Sequence, residues 1–398
     1  MGNLADKINE LAQELFPEIV NIRRHIHQHP ELSFHEFETS RYIKDILDKN
    51  GIQYKDGFVN TGILARIDGK KKGGRVIALR ADLDALPIAE ETGLDFASAN
   101  KGVMHACGHD AHSASLLGTA MILNKLRDHF NGTVLFIFQP AEEKAPGGAK
   151  GMLEEGVFDD IEPQLIIAQH VMPGMAAGTV GFRSGKYMAS SDEIYITLEG
   201  PGGHAAMPHK TTDLILVASH ILGALQQIVS RNADPAIPTV LSFGRLIADG
   251  AVNVLPSELN IAGTFRTMNE EWRQKALSRM EKMALSISGS MGAKCEFKVV
   301  EGYPVLRNDE KTTSKSAAFA ESFLGSDHVT ELQPRMTAED FAHFASRYPA
   351  TYYRLGIASA ESKEVHELHT PTFNIDEKAL LTGAGLMAYL AVSHLSDM

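Results

Sequence analysis

The sequence predicts an α/β fold with a mostly parallel sheet, interrupted by an inserted α+β domain of the ferredoxin-like type. Three observations predict it. The chain of 398 residues is too long for one hydrophobic core. Strand-like and helix-like segments alternate between residues 60 and 180, and the order becomes β-α-β-β-α-β between 187 and 301. We therefore expect one domain from residues 1–186 and 302–398, and a second from residues 187–301.

The elements of the first domain follow from the spacing of apolar residues. Leucine or isoleucine at positions 4, 8, 11 and 15 predicts an amphipathic N-terminal helix. Runs rich in β-branched and aromatic residues predict buried strands, namely VIALRAD (76–82), TVLFIFQ (133–139), QLIIAQH (164–170) and TYYRLGI (351–357). Further helices are expected to begin at 110, 147 and 376 and to span 338–346.

The inserted domain has its own periodicity. Strands are predicted at 192–200, 238–246, 258–266 and 294–300, with helices at 212–231 and 270–288. This order is that of the split βαβ motif, and about 115 residues are enough for an independent domain.

Composition excludes several classes of function. A net charge of −12 argues against nucleic acid as a partner, since phosphate binding relies on clustered Lys and Arg. Two cysteines, Cys107 and Cys295, provide no disulfide framework and favour a reducing compartment. The first residues lack an apolar signal core, and polar residues interrupt the segment 379–395. We expect a soluble cytoplasmic protein without a membrane partner.

Polar residues follow the predicted strands of the first domain. Asp82, Glu142, Glu143 and His170 stand at strand ends, and ligands bind beyond the carboxyl ends of strands in open sheets. One glutamate of the pair could bind a metal while the other transfers a proton, although a solvated acidic pair is the simpler reading. His170 alone would equally suit a buried structural role.

The stretch MHACGHDAH, residues 104–112, contains three histidines, one aspartate and one cysteine. Cys107 and His109 could approach one metal from a turn. Asp110 or Ser113 could cap the following helix, whose positive end favours a thiolate at Cys107. A polar turn with a buried thiol explains the stretch equally well. A redox thiol is less favoured, because no partner cysteine is near in sequence.

The stretch RRHIHQHP, from residue 23, is richer in histidine than any other but is interpreted as helix-end packing. On a helix, His25 and His29 share one face and His27 points away, and Pro30 then ends the helix.

Eight motifs in order resemble the amidohydrolase branch of the aminoacylase and carboxypeptidase family of co-catalytic di-metal metallopeptidases. That branch includes hydrolases of N-acyl amino acids, hippurate and auxin conjugates. The motifs are RRHIHQHPELSF, RADLDALP, MHACGHDAH, QPAEE, GGHAAMPH, AVNVLP, GTFRT and LHTPTFNIDE, and they cover nearly the whole chain.

The resemblance implies a di-metal hydrolase domain and assigns its residues. It makes Cys107, His109, Glu143, His170 and His369 the ligands of two divalent ions, Mn, Zn, Co or Ni, and leaves His366 as a bystander. Glu142 becomes the general acid/base in attack of a metal-bridged hydroxide on an amide. The implied substrates are N-acetyl, N-benzoyl or similar N-acyl amino acids, cleaved to a carboxylate and a free amino acid.

One departure from the wider family concerns the motif at residues 80–84. In the wider family this motif begins with a histidine that binds metal, whereas in this chain it begins with Arg80. We therefore expect Asp82 and Asp110 to contact the ligands rather than the ions, while Cys107 helps to fill the coordination position.

The inserted domain resembles the family's lid and dimerisation domain, which implies a homodimer or a dimer-based tetramer. His204 matches a histidine that stabilises the tetrahedral oxyanion, in cis or from the partner subunit. Asn253 and Arg266 match residues that hold the substrate carboxylate. Two alternatives stay open: a dipeptidase or carboxypeptidase on the same scaffold, and a non-catalytic metal- or ligand-binding homologue.

Overall fold

The computed structural model describes residues 2–71, 74–359 and 365–396. Its helices are α1 Gly2–Gln28, α2 Phe37–Lys49, α3 His109–Lys125, α4 Gly148–Glu154, α5 Leu214–Leu225, α6 Glu270–Ser290, α7 Glu310–Leu324, α8 Ala342–Ala345 and α9 Ala379–Ser396. Its strands are β1 Gln53–Phe58, β2 Gly62–Asp68, β3 Val76–Asp82, β4 Thr133–Gln139, β5 Leu165–Ala176, β6 Val180–Phe182, β7 Gly185–Met188, β8 Asp192–Glu199, β9 Gly203–His204, β10 Thr239–Ala248, β11 Val254–Leu255, β12 Glu258–Thr267, β13 Lys294–Glu301, β14 Leu306–Asn308, β15 Val329–Glu331 and β16 Ala350–Ala358.

The chain forms two compact units. The first comprises Met1–Tyr187, Arg307–Pro334 and Asp340–Met398, and the second comprises Met188–Leu306 and Arg335–Glu339. The second unit thus includes ten residues that the sequence assigns to the first domain, 302–306 and 335–339, whereas Tyr187 belongs to the first unit.

An eight-stranded sheet organises the first unit, in the order β1-β2-β4-β3-β5-β16-β6-β15. Its four central strands, β4, β3, β5 and β16, run parallel to one another. Every residue of β3 and β4 is buried, as expected for apolar strands covered on both faces. The α/β class with a mostly parallel sheet is therefore confirmed.

Helices α1, α3 and α9 form much of the core that covers this sheet. Residues 109–123 of α3 are all buried, which explains why this helix carries so few charged residues. α9 and the segment Leu214–Asn232 are long and apolar enough to cross a membrane, but 83% of the α9 window is buried inside the protein. α9 is therefore explained as a core helix.

The second unit contains a four-stranded antiparallel sheet in the order β10-β12-β8-β13, with α5 and α6 packed against it. Numbered along the unit, this is the 2-3-1-4 order of the split βαβ motif. The side chains of Asp213 and Asn269 cap the N-termini of α5 and α6. Alternate residues of β8 are buried, with Ile194, Ile196 and Leu198 in the core.

Several predicted elements differ from those observed, and long-range contacts account for two of the differences. The helix predicted at 338–346 is only Ala342–Ala345, since the Asp340 carboxylate accepts hydrogen bonds from Arg80, Gln139 and the backbone of Ala149. The last helix begins at Ala379 rather than Asp376. β5 continues six residues beyond His170, because Val171, Met172 and, after an irregularity in register, Ala176 still pair with β16.

Substitution of Gly148 by alanine tests the close approach at the start of α4. A Cβ there would overlap the Pro140 carbonyl oxygen, so the backbone must shift. We expect Gly148→Ala to lower the free energy of unfolding by about 1–3 kcal/mol, measured by urea denaturation. Gly289→Ala is the control, because its Cβ would meet nothing within 4 Å. Its expected change is within about 0.5 kcal/mol, and an equal effect of both changes would contradict the steric explanation.

Candidate metal centre

A tight turn brings Cys107 and His109 together at the start of α3. Gly108 between them has φ 83°, a left-handed conformation that glycine adopts without strain. A Cβ on Gly108 would also lie 2.5 Å from Cγ2 of Val171. The Cys-Gly-His sequence therefore allows α3 to begin in close contact with β5.

His170 lies within β5, one residue before Val171, and faces this turn. Its Nε2 atom is 3.4 Å from Cys107 Sγ, and its Nδ1 atom donates to the Val171 carbonyl at 2.6 Å. Burial, with the nearby charge of Arg354, holds the pKa of His170 well below its usual range. His170 is consequently a neutral imidazole whose Nε2 lone pair is directed at the cysteine.

His109 is surrounded by carboxylates. Its Nδ1 atom lies 3.3 Å from Asp84 Oδ1, and its Nε2 atom lies 3.8 Å from both Asp82 Oδ2 and Glu143 Oε1. Burial disfavours the charged ring, but these carboxylates together raise the pKa of His109 to about 10. Nε2 is buried and makes no hydrogen bond, so it is placed to bind a cation in competition with a proton.

The turn after β4 orients Glu142 and Glu143. Ala141 has φ 52°, and its backbone N–H donates to Glu36 at 2.9 Å. The next two N–H groups donate to the Asp84 carboxylate, that of Glu142 at 3.0 Å and that of Glu143 at 2.9 Å. One buried aspartate therefore fixes the backbone of both glutamates.

His369 reaches the same place from the segment before α9. Its φ is 61°, and its backbone N–H donates to the Ala106 carbonyl at 2.8 Å, beside Cys107. Its Nε2 atom lies 3.2 Å from Glu143 Oε1. A left-handed residue other than glycine is strained, so this backbone hydrogen bond is part of what holds His369 in position.

These side chains form overlapping groups of potential metal ligands. Cys107, His109 and His170 form one group, and Cys107, Glu143 and His369 form another, with the donor atoms of each group within 4.8 Å of one another. A third group contains His109, Glu142 and Glu143. Thiolate, imidazole and carboxylate donors suit divalent transition metals.

The electrostatics of the centre also fit a cation. Burial, together with the carboxylates of Glu143, Glu142 and Asp82, raises the pKa of the Cys107 thiol well above its usual range. These effects outweigh the positive electrostatic potential at the N-terminus of α3, which was expected to favour a thiolate at Cys107. A divalent cation would reverse the balance, because it stabilises the thiolate and offsets the carboxylate charge. The residues present therefore fit the metal site predicted from the sequence.

Asp82 and His112 form a hydrogen-bonded support beneath His109. Asp82 Oδ1 accepts from His112 Nδ1 at 2.6 Å, and Asp82 Oδ2 accepts from Arg80 at 2.6 Å. His112 Nε2 accepts from the Val171 backbone at 2.9 Å, so both of its ring nitrogens are used. Although His112 also lies in a cluster with Asp82 and His109, we interpret it as a structural residue.

The prediction that Asp110 or Ser113 caps α3 is wrong. The residue before the helix is Gly108, which has no side chain to cap the first turn. The Asp110 carboxylate instead accepts from Arg23 and His27 of α1, each at 2.8 Å. Ser113 donates to the Asp82 carbonyl at 2.8 Å.

The RRHIHQHP segment ends α1, as expected. The rings of His25 and His29 are 4.5 Å apart on one face, while His27 is buried on another. His366 is half-buried, and its Nδ1 atom lies 3.2 Å from Thr372 Oγ1.

The other predicted site residues belong to the second unit. His204 is exposed on β9, which pairs with β11, and the Asn253 carbonyl accepts from the neighbouring Ala205 at 3.0 Å. Arg266 is half-buried on β12 and donates to the Met336 carbonyl at 3.2 Å. Among the residues that the structure describes, Arg266 pairs with no carboxylate, so its charge is available to an anionic ligand.

Sequence reasoning missed Asp84, which holds the Glu142–Glu143 turn and faces His109. Ser33 also donates to it, at 2.6 Å. The repeated Asp-x-Asp spacing of RADLDALP was a usable signal, because alternate residues after a strand can face the same side. The role of Asp84 could not be predicted from local sequence, because the groups that contact its carboxylate belong to residues 33, 109, 142 and 143.

Comparison with known proteins identifies similar chains. Residues 78–393 match the family model described as peptidase family M20/M25/M40. The N-acetyl-L-cysteine deacetylase of Bacillus subtilis is 40% identical over 96% of this chain and 88% of its own length. Thermostable carboxypeptidase 1 of Saccharolobus solfataricus is 37% identical over 98% of each chain. A solved dinuclear metal-binding peptidase of the M20 family from Bacillus subtilis is 36% identical and superimposes with a TM-score of 0.82, over 97% of this chain and 99% of that one.

Replacement of Asp84 by alanine tests its role as an anchor. Two buried backbone N–H groups would lose their acceptor, so we expect Asp84→Ala to lower the free energy of unfolding by about 2–5 kcal/mol. Ser33→Ala removes one donor to Asp84 but leaves the aspartate, and about 1 kcal/mol is expected. Urea denaturation of both variants measures the difference. Equal stabilities for the two variants would show that Asp84 does not anchor the turn.

Proposed function

Because the chain belongs to peptidase family M20/M25/M40, we propose that it is a di-metal amidohydrolase that releases free amino acids from N-acyl amino acids. The observation that carries the proposal is the convergence of Cys107, His109, Glu143, His170 and His369 around Glu142. The similarity to an N-acetyl-L-cysteine deacetylase supports the substrate class.

We assign two divalent ions to the two ligand groups. Cys107, His109 and His170 would hold one ion, and Cys107, Glu143 and His369 the other, so the cysteine would serve both. The solved dinuclear relative supports the number of ions. The mixture of thiolate, imidazole and carboxylate ligands favours Mn, Zn, Co or Ni over Ca or Mg.

Glu142 is the proposed general acid/base. Its side chain is buried, and Oε1 lies 3.4 Å from the Asp340 backbone N–H, so its orientation is restrained. The ions, when bound, supply Lewis-acid activation of a water and of the amide carbonyl. Glu142 then accepts the proton of the attacking water and returns it to the leaving nitrogen. Retention of this base argues against a homologue that only binds metal or ligand.

The second unit is proposed to recognise the rest of the substrate. Arg266 offers a guanidinium fork without a carboxylate partner among the described side chains, which suits the α-carboxylate of an amino acid. Asn253 is proposed to assist it. His204 is exposed, and its Nδ1 atom accepts from Ala206 at 3.1 Å, which leaves Nε2 available to donate to an oxyanion.

We also propose a soluble cytoplasmic homodimer, or a dimer-based tetramer, assembled through the second unit. β10 is an edge strand of its sheet, and Leu246 and Ile247 on this strand are 48% and 44% exposed. On α5, Ile215 and Leu216 are 51% and 49% exposed. Such apolar surface is typical of an interface.

A dipeptidase or carboxypeptidase is the second candidate, favoured by the similarity to thermostable carboxypeptidase 1. Both substrate classes carry a carboxylate for Arg266 and differ only on the acyl side of the scissile bond. Rates measured on an N-acetyl amino acid and on the matching dipeptide, with Mn, Zn or Co present, decide between them. We expect the acyl amino acid to be hydrolysed faster; turnover of dipeptides alone would contradict the proposal.

Glu142→Gln tests the proton transfer. The amide keeps the size of the side chain but cannot accept a proton, so we expect kcat to fall roughly 10²–10⁴-fold while the metal content stays at the wild-type level. Glu154→Gln, an exposed change on α4, is the control and should leave kcat unaltered. Wild-type turnover by Glu142→Gln would refute the assigned role.

Removal of the metal tests the ligand role of Cys107. A metal-bound thiolate is protected from iodoacetamide, whereas the metal-free thiol, although buried and with a raised pKa, still reacts slowly, so alkylation of Cys107 should be slower in the metal-loaded protein than after chelation. Cys295 is the other free thiol and serves as an internal control, since its rate should not depend on metal. Mass spectrometry of the two cysteine peptides measures both rates. Identical rates for Cys107 in both states would argue against ligation.

A further inference from the structure

The RRHIHQHP segment is not explained by any ligand or catalytic role proposed so far. Its first residue, Arg23, is fully buried near the end of α1. Buried arginines are rare unless fully paired, and Arg23 makes three separate side-chain contacts. Two of its partners lie more than 350 residues away in sequence.

We propose that Arg23 is a positioning residue that holds the two halves of the metal centre in register. This inference rests on the metal site proposed above. The Arg23 clamp consists of Arg23, Asp110, Asn374 and Glu377. Arg23 Nε donates to Asp110 Oδ2 at 2.8 Å, Nη1 to Glu377 Oε1 at 3.1 Å, and Nη2 to Asn374 Oδ1 at 2.9 Å.

The partners of Arg23 belong to the two segments that carry the metal ligands. Asp110 directly follows His109, in the turn that also contains Cys107. Asn374 and Glu377 lie on the segment between His369 and α9. One planar guanidinium therefore connects the Cys-Gly-His turn to the His369 segment, and its donor directions fix the spacing between them.

The connection matters most for the His369 segment. His369 has a left-handed backbone and one backbone hydrogen bond, to Ala106. The side chain of His369 is 52% exposed, so packing restrains it weakly. The Arg23 clamp supplies a second connection a few residues further along the chain.

His27 strengthens the same arrangement from α1. Its Nδ1 atom is 2.8 Å from Asp110 Oδ2, the oxygen that Arg23 also binds, and its Nε2 atom is 3.2 Å from Glu90 Oε1. The backbone N–H of Glu91 in turn donates to the Pro371 carbonyl at 2.8 Å, two residues after His369. This is a further route from α1 to the His369 segment, in addition to the hydrogen bonds of Arg23.

Arg24 provides a matched comparison. It is the next residue of the same helix and also binds Glu377, with Nε 2.9 Å from Oε1 and Nη2 2.6 Å from Oε2. Its side chain is 46% exposed, and neither Asp110 nor Asn374 is among its hydrogen-bond partners in the described chain. Loss of Arg24 therefore removes one arginine and one ion pair without disconnecting the two ligand segments.

The test compares the affinity of wild type, Arg23→Met and Arg24→Met for Mn²⁺ and Co²⁺, by competition with a chelator. Supporting contacts of metal ligands affect affinity by roughly 10–100-fold, so we expect a loss of that size in Arg23→Met and less than about twofold in Arg24→Met. Absorption of the Co²⁺–thiolate bond reports separately whether Cys107 remains bound.

Asn374→Ala keeps the test decisive if Arg23→Met does not fold. It removes one of the two contacts of Arg23 with the His369 segment and leaves Asp110 paired, so we expect weaker binding of one ion, that of Cys107, Glu143 and His369, with the other retained. Metal affinities of Arg23→Met or Asn374→Ala equal to wild type, or equal losses in Arg23→Met and Arg24→Met, would overturn the inference. Wild type that binds neither ion would instead refute the metal centre itself.

Discussion

Compensation of buried negative charge is the constraint on which the first unit depends. Asp82, Asp84 and Asp110 are fully buried, and Glu142 nearly so. An ionised carboxylate taken out of water is costly unless donors or positive charges surround it. Each of these aspartates accepts from donors on distant segments, and the hydrogen bonds that compensate their charge also bring the ligands together.

Two buried arginines meet part of this constraint. Arg80 donates to Asp82, Gln139 and Asp340. Arg23 donates to Asp110 and to the segment before α9. The hydrogen bonds of these two arginines therefore support the segments that carry the ligands. The thiol and the imidazoles face inward from these segments, so a cation would complete the charge balance.

The sequence predicts the parts of this arrangement that depend on local pattern. Apolar runs indicate β3 and β4, and the spacing Cys-x-His together with the adjacent glutamates indicates the ligand types. The ends of elements were less predictable where tertiary contacts decide them. Aspartate is a residue type that often caps helices, but the Asp110 carboxylate accepts hydrogen bonds from Arg23 and His27 instead. β5 extends beyond His170 because β16 continues to pair with it. Asp84 and Arg23 were missed because their partners are separated from them by tens to hundreds of residues.

Crystals grown with Mn²⁺ or Zn²⁺ and measured at the absorption edge of the metal test the central claim, that one cysteine serves two ions. The account predicts two anomalous peaks, one in contact with Cys107, His109 and His170 and the other in contact with Cys107, Glu143 and His369. A single peak, or two peaks of which either lies away from Cys107, would contradict it.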